Sequence, residues 1–161
     1  SPEENGTSFS ENSKIKAKFF SEKSNMISIS DDSGLEIDLL SGAPGIFSSR
    51  WAGPENNFYL GIMKIFKELE KKDINWKKKK ISCRFICCLT VFWPNGKFVS
   101  SSGKVEGNIS NLIKGNNGFG YDPIFIPEGY KNTFAEMKAE FKYKIDHRFK
   151  AYAKIKKLIF N

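Results

Sequence analysis

The sequence predicts an α/β protein with a mixed sheet and flanking helices, and three observations support this class. Short β-rich runs alternate with stretches of helical apolar spacing along the 161 residues. The longest β-rich run, residues 81–93, precedes Pro94-Asn95-Gly96 and a second run, which predicts an antiparallel hairpin. Apolar residues make up 40% of the chain and aromatic residues 14%, which supplies a core and argues against disorder.

The first half of the chain is predicted to hold three helices and one strand. Ser8 and Glu11 have the spacing of a capping box at the start of the first helix. Residues 26–30 alternate in polarity, as a strand does, and lead into Asp31-Asp32-Ser33-Gly34. Apolar residues from Phe58 to Leu69 recur at helical spacing. The predicted elements are, in order, helix 8–22, strand 26–30, helix 34–40 and helix 55–72.

The second half is predicted to begin with the hairpin and to end in helices. A long irregular loop over residues 107–123 holds four of the 13 glycines. The predicted elements are, in order, strand 81–93, strand 97–105, strand 124–126, a helix starting near Thr133 or Ala135, and a helix over about 143–160.

Length and composition exclude several classes. The chain is long enough for a single domain, 1–161, and it carries no long-period repeat. Its longest nearly uncharged stretch, residues 85–96, is shorter than the ~20 residues of a membrane span. Cys83, Cys87 and Cys88 lack zinc-ligand spacing, so we expect buried free thiols, a reducing compartment and a cytoplasmic location.

The net charge of +8 is unevenly distributed. Residues 64–80 carry +5 and residues 131–161 carry +6, whereas the remainder carries −3. This balance suits a polyanionic ligand or a nucleic acid. For residues 71–80 a solvated lysine-rich face is the simpler interpretation.

Asp31-Asp32-Ser33-Gly34 is the first candidate site, because two acids follow an apolar strand directly. Ligands of open α/β folds bind at the carboxyl ends of strands, and a following helix would offer backbone amides to an anion. Paired carboxylates beside an anion suggest Mg²⁺ bridging to phosphate. Glu3 or Glu4 could supply a further metal ligand, or belong to a frayed terminus. A helix N-cap is the alternative interpretation of the acidic pair.

Two further segments are candidates for binding. In Phe119-Gly120-Tyr121-Asp122-Pro123 the aromatic rings could stack on a base, or the segment could be a structural turn. In Asp146-His147-Arg148 the only histidine opens the last predicted helix, about one turn after Lys142. Arg148 offers a donor fork to a carbonyl or phosphate, and His147 could instead be a capping residue. A Ser/Cys–His nucleophilic pair remains possible, but no motif marks one.

Several multi-residue motifs then occur in one order over nearly the whole chain. The motifs are Glu3-Glu4-Asn5-Gly6-Thr7-Ser8-Phe9, Glu11-Asn12, Lys16-Ala17, Ser30 to Asp38, Gly42 to Gly53, Gly118 to Phe125, Glu128-Gly129-Tyr130, Thr133 to Met137 and His147-Arg148. With these motifs in this order, the chain resembles the non-canonical purine nucleoside triphosphate pyrophosphatases (inosine/xanthosine triphosphate pyrophosphatases).

The resemblance implies an elongated, twisted mixed sheet with two lobes around a nucleotide cleft. It also implies Mg²⁺-dependent hydrolysis of dITP, ITP and XTP to the monophosphate and pyrophosphate. The enzyme is expected to be a homodimer, without membrane association and without a stable nucleic-acid partner. Asp32 matches the family's general base and metal ligand, and Asp31, Glu3 and Glu4 match its acidic metal region. The remaining matches are to nucleotide-binding positions: Lys16, Ser33, Phe119, Gly120, Tyr121, Asp122, Lys142, His147 and Arg148.

The chain departs from the family pattern in two places. Family members carry a strand and a Gly/Asn/Lys phosphate loop upstream of the Glu-Glu pair, and this sequence starts at that pair. The family usually has Ser where Asp146 stands, so its carboxylate either holds His147 or Arg148 in place or repels phosphates. There are two alternative functions. The first departure suggests an inactive nucleotide-binding remnant. The lysine-rich segments suggest a basic nucleic-acid-binding module.

Overall fold

The computed structural model describes residues 2–160 of the chain. Within them, helices and strands alternate as predicted for an α/β protein, and the fold class is confirmed. The elements are α1 (Phe9–Ser24), β1 (Ser28–Ile37), α2 (Ser48–Trp51), α3 (Phe58–Lys72), β2 (Ser82–Phe92), β3 (Phe98–Ile109), β4 (Phe125–Pro127), α4 (Ala139–Ile145) and α5 (His147–Phe160).

The four strands form one sheet in the order β1-β2-β3-β4. The predicted hairpin joins β2 to β3, and its turn is closed by a bond from the Trp93 amide to the Lys97 carbonyl, 2.9 Å. Gly96 has φ +87°, a conformation that glycine adopts without strain. β3 and β4 pair antiparallel, with Asn108 opposite Ile126.

The chain divides into two compact units. Among the described residues, the first comprises residues 2–33, 86–104 and 146–160, and the second comprises residues 34–85 and 105–145. Each strand of the hairpin therefore contributes residues to both units.

The second unit holds a large apolar core. α3 contributes Ile62, Ile65 and Leu69 at helical spacing, as the sequence predicts. Phe125 and Phe134 are fully buried, with ring centroids 5.0 Å apart. Burying such side chains removes apolar surface from water, which is the main favourable term in folding.

In the first unit, α5 packs closely on β3 at Gly103. A Cβ at this position would collide with the His147 carbonyl and the Ala151 amide, so only glycine allows this approach. The Ser101 hydroxyl donates to the Ala151 carbonyl at 2.7 Å. Lys154 donates to the Ser102 carbonyl at 2.8 Å. These contacts fix the start of α5, and therefore His147 and Arg148.

The predicted helix over residues 34–40 is wrong. β1 continues through Asp31-Asp32-Ser33-Gly34 to Ile37, and only a 3-10 turn, Asp38–Leu40, follows. Leu35 and Ile37 are fully buried, and Glu36 between them is not, which is the alternation of a strand. Neither a helix N-cap nor helix amides therefore explain the acidic pair.

The end of the chain also differs from its prediction. Residues 134–136 form a 3-10 turn with a Thr133–Glu136 capping box, and the predicted helix over 143–160 is divided between α4 and α5. Asp146 lies at the break, where its carboxylate accepts the Phe149 amide at 2.8 Å. A hydroxyl or carboxylate can cap a helix in this way, so Asp146 performs the capping that a serine would perform.

Two other local predictions are tested. The Ser8 hydroxyl caps α1 by accepting the Glu11 amide at 3.2 Å, but the main hydrogen bond of the Glu11 carboxylate is from the Thr7 amide, one residue before the cap. Half of the predicted capping box is therefore present.

The three cysteines are free and buried, as predicted, and burial raises the pKa of Cys87 to about 11. None of the described helices is long and apolar enough to cross a membrane.

Candidate active site

A lysine between two carboxylates forms the centre of the candidate site in the first unit. Lys16, on α1, lies 3.0 Å from Asp32 Oδ1 and 3.1 Å from Glu4 Oε1. α1 presents Lys16 because its neighbour Ala17 is fully buried and fixes the orientation of the helix. The structure thus brings together three of the predicted site residues that are far apart in sequence.

Asp32 is buried, with 8% of its surface exposed. Desolvation raises its pKa above the ordinary 3.8, and the Glu4 carboxylate adds to that shift, although Lys16 opposes it. For Lys16 the desolvation acts downward, but its two carboxylate partners raise its pKa. The result is a carboxylate with enhanced basicity beside a fixed positive charge.

The other member of the acidic pair faces different partners. Asp31 Oδ2 lies 3.3 Å from Arg148 Nη2 and accepts the Ser33 hydroxyl at 2.9 Å. Consecutive strand side chains point to opposite faces, so β1 directs Asp31 and Asp32 apart. The expectation of adjacent carboxylates sharing one Mg²⁺ depended on a strand end followed by a helix, and the structure does not support it.

His147 and Arg148 stand at the first turn of α5, as predicted. His147 is buried, and its Nε2 lies 3.4 Å from Arg148 Nη1. A shallow cavity of about 350 Å³ adjoins Arg148, and its other lining residues are Ile29, Ser30, Asp31, Leu89 and Tyr152. Arg148 thus presents a cation at an open surface, where an anion or a carbonyl can reach it.

The residues present fit a metal only in a limited way. Among residues 2–160, no group of three or more His, Cys, Asp or Glu side chains is arranged to hold an ion. Glu4 and Asp32 nevertheless converge on one cation, Lys16, and Glu3 is exposed. Mg²⁺ is commonly bound by one or two carboxylates together with substrate phosphates, so this pair fits an ion that the two carboxylates bind and that substrate phosphates then hold more tightly.

The second unit contains the other predicted binding segment. Asp122 and Lys142 form a buried ion pair, with 2.6 Å between Oδ2 and Nζ. The same carboxylate oxygen accepts the Phe119 amide at 3.0 Å. Gly118 and Gly120 both have positive φ, and a side chain at Gly118 would collide with Asp122. Together these contacts hold a tight, pre-formed loop.

The two aromatic residues of this loop have different environments. Phe119 is 57% exposed and could stack on a base, with the Lys142 ammonium 4.9 Å from its ring centroid. Tyr121 is buried against Phe58, and its hydroxyl donates to the Ser48 carbonyl at 2.7 Å. The interpretation of Tyr121 as a stacking platform is therefore wrong, because its ring belongs to the core.

Asn12 is a further residue of the candidate site that the sequence does not mark as one. It is fully buried, and its Nδ2 donates to Asp32 Oδ2 at 3.4 Å. One signal was available: Asn12 precedes Lys16 by four residues, so both share one face of α1.

Comparison with known proteins gives consistent matches along the chain. It is 40% identical over 154 residues to a dITP/XTP pyrophosphatase of Zymomonas mobilis, covering 96% of this chain and 72% of that protein. It is 41% identical over 160 residues to a dITP/XTP pyrophosphatase of Caulobacter vibrioides, covering 99% and 80%. A HAM1 protein structure from Coxiella burnetii superposes with TM-score 0.89 at 35% identity, covering 98% and 79%. The model of the Ham1 family matches residues 1–158, and the chain therefore belongs to the Ham1 family.

Proposed function

We propose that this protein hydrolyses non-canonical purine nucleoside triphosphates, such as dITP, ITP and XTP, to the monophosphate and pyrophosphate. Its role would be to remove deaminated purine nucleotides from the nucleotide pool. The observation that carries the proposal is the buried carboxylate of Asp32, which has a raised pKa and contacts the Lys16 ammonium. Lys16 also contacts the Glu4 carboxylate. The activity named for its relatives from Zymomonas mobilis and Caulobacter vibrioides supports the same reaction.

Each group of the first unit has a role in that reaction. Asp32 would accept the proton of the attacking water, because a general base works best when its pKa is raised toward the working pH. Lys16 would pair with phosphate oxygens, and Arg148 offers a second cationic fork. Glu4 and Asp32 would hold Mg²⁺, which when bound supplies charge stabilisation at the phosphates.

The loop of the second unit would select the base. Phe119 offers an exposed ring for stacking, and backbone amides near Tyr121 would donate to a 6-keto group. An amino purine at the same position would leave those donors unpaired and place its own donors against them. Such a mismatch of buried polar groups is strongly discriminating.

Product analysis tests the reaction. The expected result is stoichiometric pyrophosphate from ITP with Mg²⁺, and much slower turnover of ATP. Orthophosphate as the first product, or equal rates on ATP and ITP, would contradict the proposal. Nucleotide binding without turnover would favour the inactive remnant, and salt-dependent oligonucleotide binding without turnover would favour the nucleic-acid module.

The resemblance also favours a cytoplasmic homodimer. The buried free thiols agree with a reducing compartment. Sedimentation velocity at several protein concentrations tests the assembly: a species of twice the 18.3 kDa chain mass is expected, and a monomer at all concentrations would contradict it.

A further inference from the structure

The Asn12 side chain joins two parts of the candidate site that are remote in sequence. Its Oδ1 accepts the Gly6 amide at 2.9 Å, and its Nδ2 donates to Asp32 Oδ2 at 3.4 Å, the long end of the hydrogen-bond range. Only 1% of Asn12 is exposed, so neither bond competes with bulk water. A buried amide that lost these partners would remain unsatisfied, at a cost in free energy. This cost favours the one geometry in which both bonds form.

These bonds complete a closed ring of contacts. Gly6 follows Glu4 by two residues, Glu4 binds Lys16, Lys16 binds Asp32, and Asp32 returns to Asn12. Asn12 and Lys16 are four residues apart on α1, so one helix face presents a neutral amide and a charged ammonium to the Asp32 carboxylate.

Gly6 is fitted to this ring. A Cβ at Gly6 would lie 2.6 Å from Asn12 Oδ1 and 2.8 Å from Glu11 Cβ, closer than real side chains approach. Any larger residue would therefore push the segment that carries Glu4 away from α1.

We infer that Asn12 is a positioning residue that holds the Glu4 and Asp32 carboxylates in register for a divalent cation. The inference rests on the proposed function. Lys16 cannot serve this purpose throughout the reaction, because a phosphate would compete with the carboxylates for its three donors. Asn12 makes its contacts without a charge, so it can keep both carboxylates in place when Lys16 turns to the substrate.

The test compares two truncations in the same helical turn. Asn12→Ala removes the hydrogen bonds to Gly6 and Asp32. Ser13→Ala removes an equally buried hydroxyl that bonds to Thr90 at 2.7 Å, away from the carboxylates. Gly6→Ala is a third variant, because it separates the segment that carries Glu4 from α1 while Asn12 is retained. Mn²⁺ binding is measured by electron paramagnetic resonance without nucleotide, together with melting temperature and the kcat and KM for ITP.

Loss of an outer partner of metal ligands typically weakens metal affinity by about 10–100-fold. We expect that loss in Asn12→Ala and Gly6→Ala, and no further loss when the two are combined, because both break one ring. Ser13→Ala should lower the melting temperature and leave Mn²⁺ affinity unchanged. Equal Mn²⁺ behaviour in wild type and Asn12→Ala, including an absence of binding in both, would overturn the inference. An inactive wild type would instead contradict the proposed function.

Discussion

At the scale of single residues, the environment of Asp32 decides both reactivity and stability. The same burial that raises its pKa makes its ionised form costly in the folded state. In its proposed role as the general base, it must nevertheless be ionised to act. We therefore expect Asp32→Asn to lower kcat by about 10²–10⁴-fold, the usual contribution of a positioned acid–base group. Near-normal turnover would show that Asp32 only completes the ion-pair network.

The stability of the same variant should depend on pH in metal-free buffer. Below the ordinary pKa of 3.8, Asp32 is protonated in both the folded and unfolded states. As pH rises through its raised folded pKa, the wild type loses the stability that its protonated form contributed. The melting temperature of Asp32→Asn relative to wild type should therefore increase over that window and then level off. Thermal melts across pH in EDTA measure this, and a difference that is flat or reversed would contradict the raised pKa.

Asp146 carries a second prediction at this scale. Its carboxylate caps α5 through the Phe149 amide, so Asp146→Ser should keep the cap and retain stability. Asp146→Ala should lose about 1 kcal/mol, the usual cost of removing an N-cap. Chemical denaturation of the three proteins measures this. Equal losses in both variants would show that the carboxylate has a role that a hydroxyl cannot replace.

At the scale of elements, the sequence predicts helices with apolar spacing and a hairpin with a turn signal reliably. α3 and the β2–β3 hairpin agree with their predictions, because local periodicity and turn chemistry determine them. The predicted strand ends earlier than β1 does, because Gly34 after Asp-Asp-Ser resembles a helix start. What extends the strand is the burial of Leu35 and Ile37 in the core of the second unit, which is not visible in a local window.

The packing of α5 on β3 gives the prediction at this scale. Gly103→Ala places a methyl group against the backbone of α5, at the His147 carbonyl and the Ala151 amide. Because a backbone cannot yield as a flexible side chain does, we expect a fall in melting temperature and weaker nucleotide binding through displaced Arg148. Ser102→Ala, at an exposed position of the same strand, is the matched control. A neutral Gly103→Ala would show that α5 shifts without cost.

At the scale of the whole molecule, the sequence motifs identify candidate residues but do not show how these residues are grouped in space. Asp31 and Asp32 are adjacent in sequence but have different partners, whereas Glu4, Lys16 and Asp32 are remote and in contact. Strand alternation separates the first pair, and the docking of α1 creates the second group. Tertiary packing determines both outcomes, so a local sequence pattern cannot show that Asn12 contacts Asp32.

The surplus positive charge should act on association with substrate rather than on the chemical step. A net charge of +8 attracts a triphosphate over distances comparable to the Debye length, about 10 Å at 0.1 M salt. Added KCl should therefore lower kcat/KM for ITP and leave kcat nearly constant, because bound substrate has already passed the encounter step.

Two pairs of exposed lysines allow the source of this attraction to be located. Lys77→Gln with Lys78→Gln removes two charges from the second unit, and Lys156→Gln with Lys157→Gln removes two from the first. The pair that steers the nucleotide should flatten the dependence of kcat/KM on salt, while the other pair serves as its charge-matched control. Initial rates over a KCl series at constant free Mg²⁺ measure the slopes. A kcat that falls with salt as steeply as kcat/KM would place the salt-sensitive interactions in the bound complex and contradict steering.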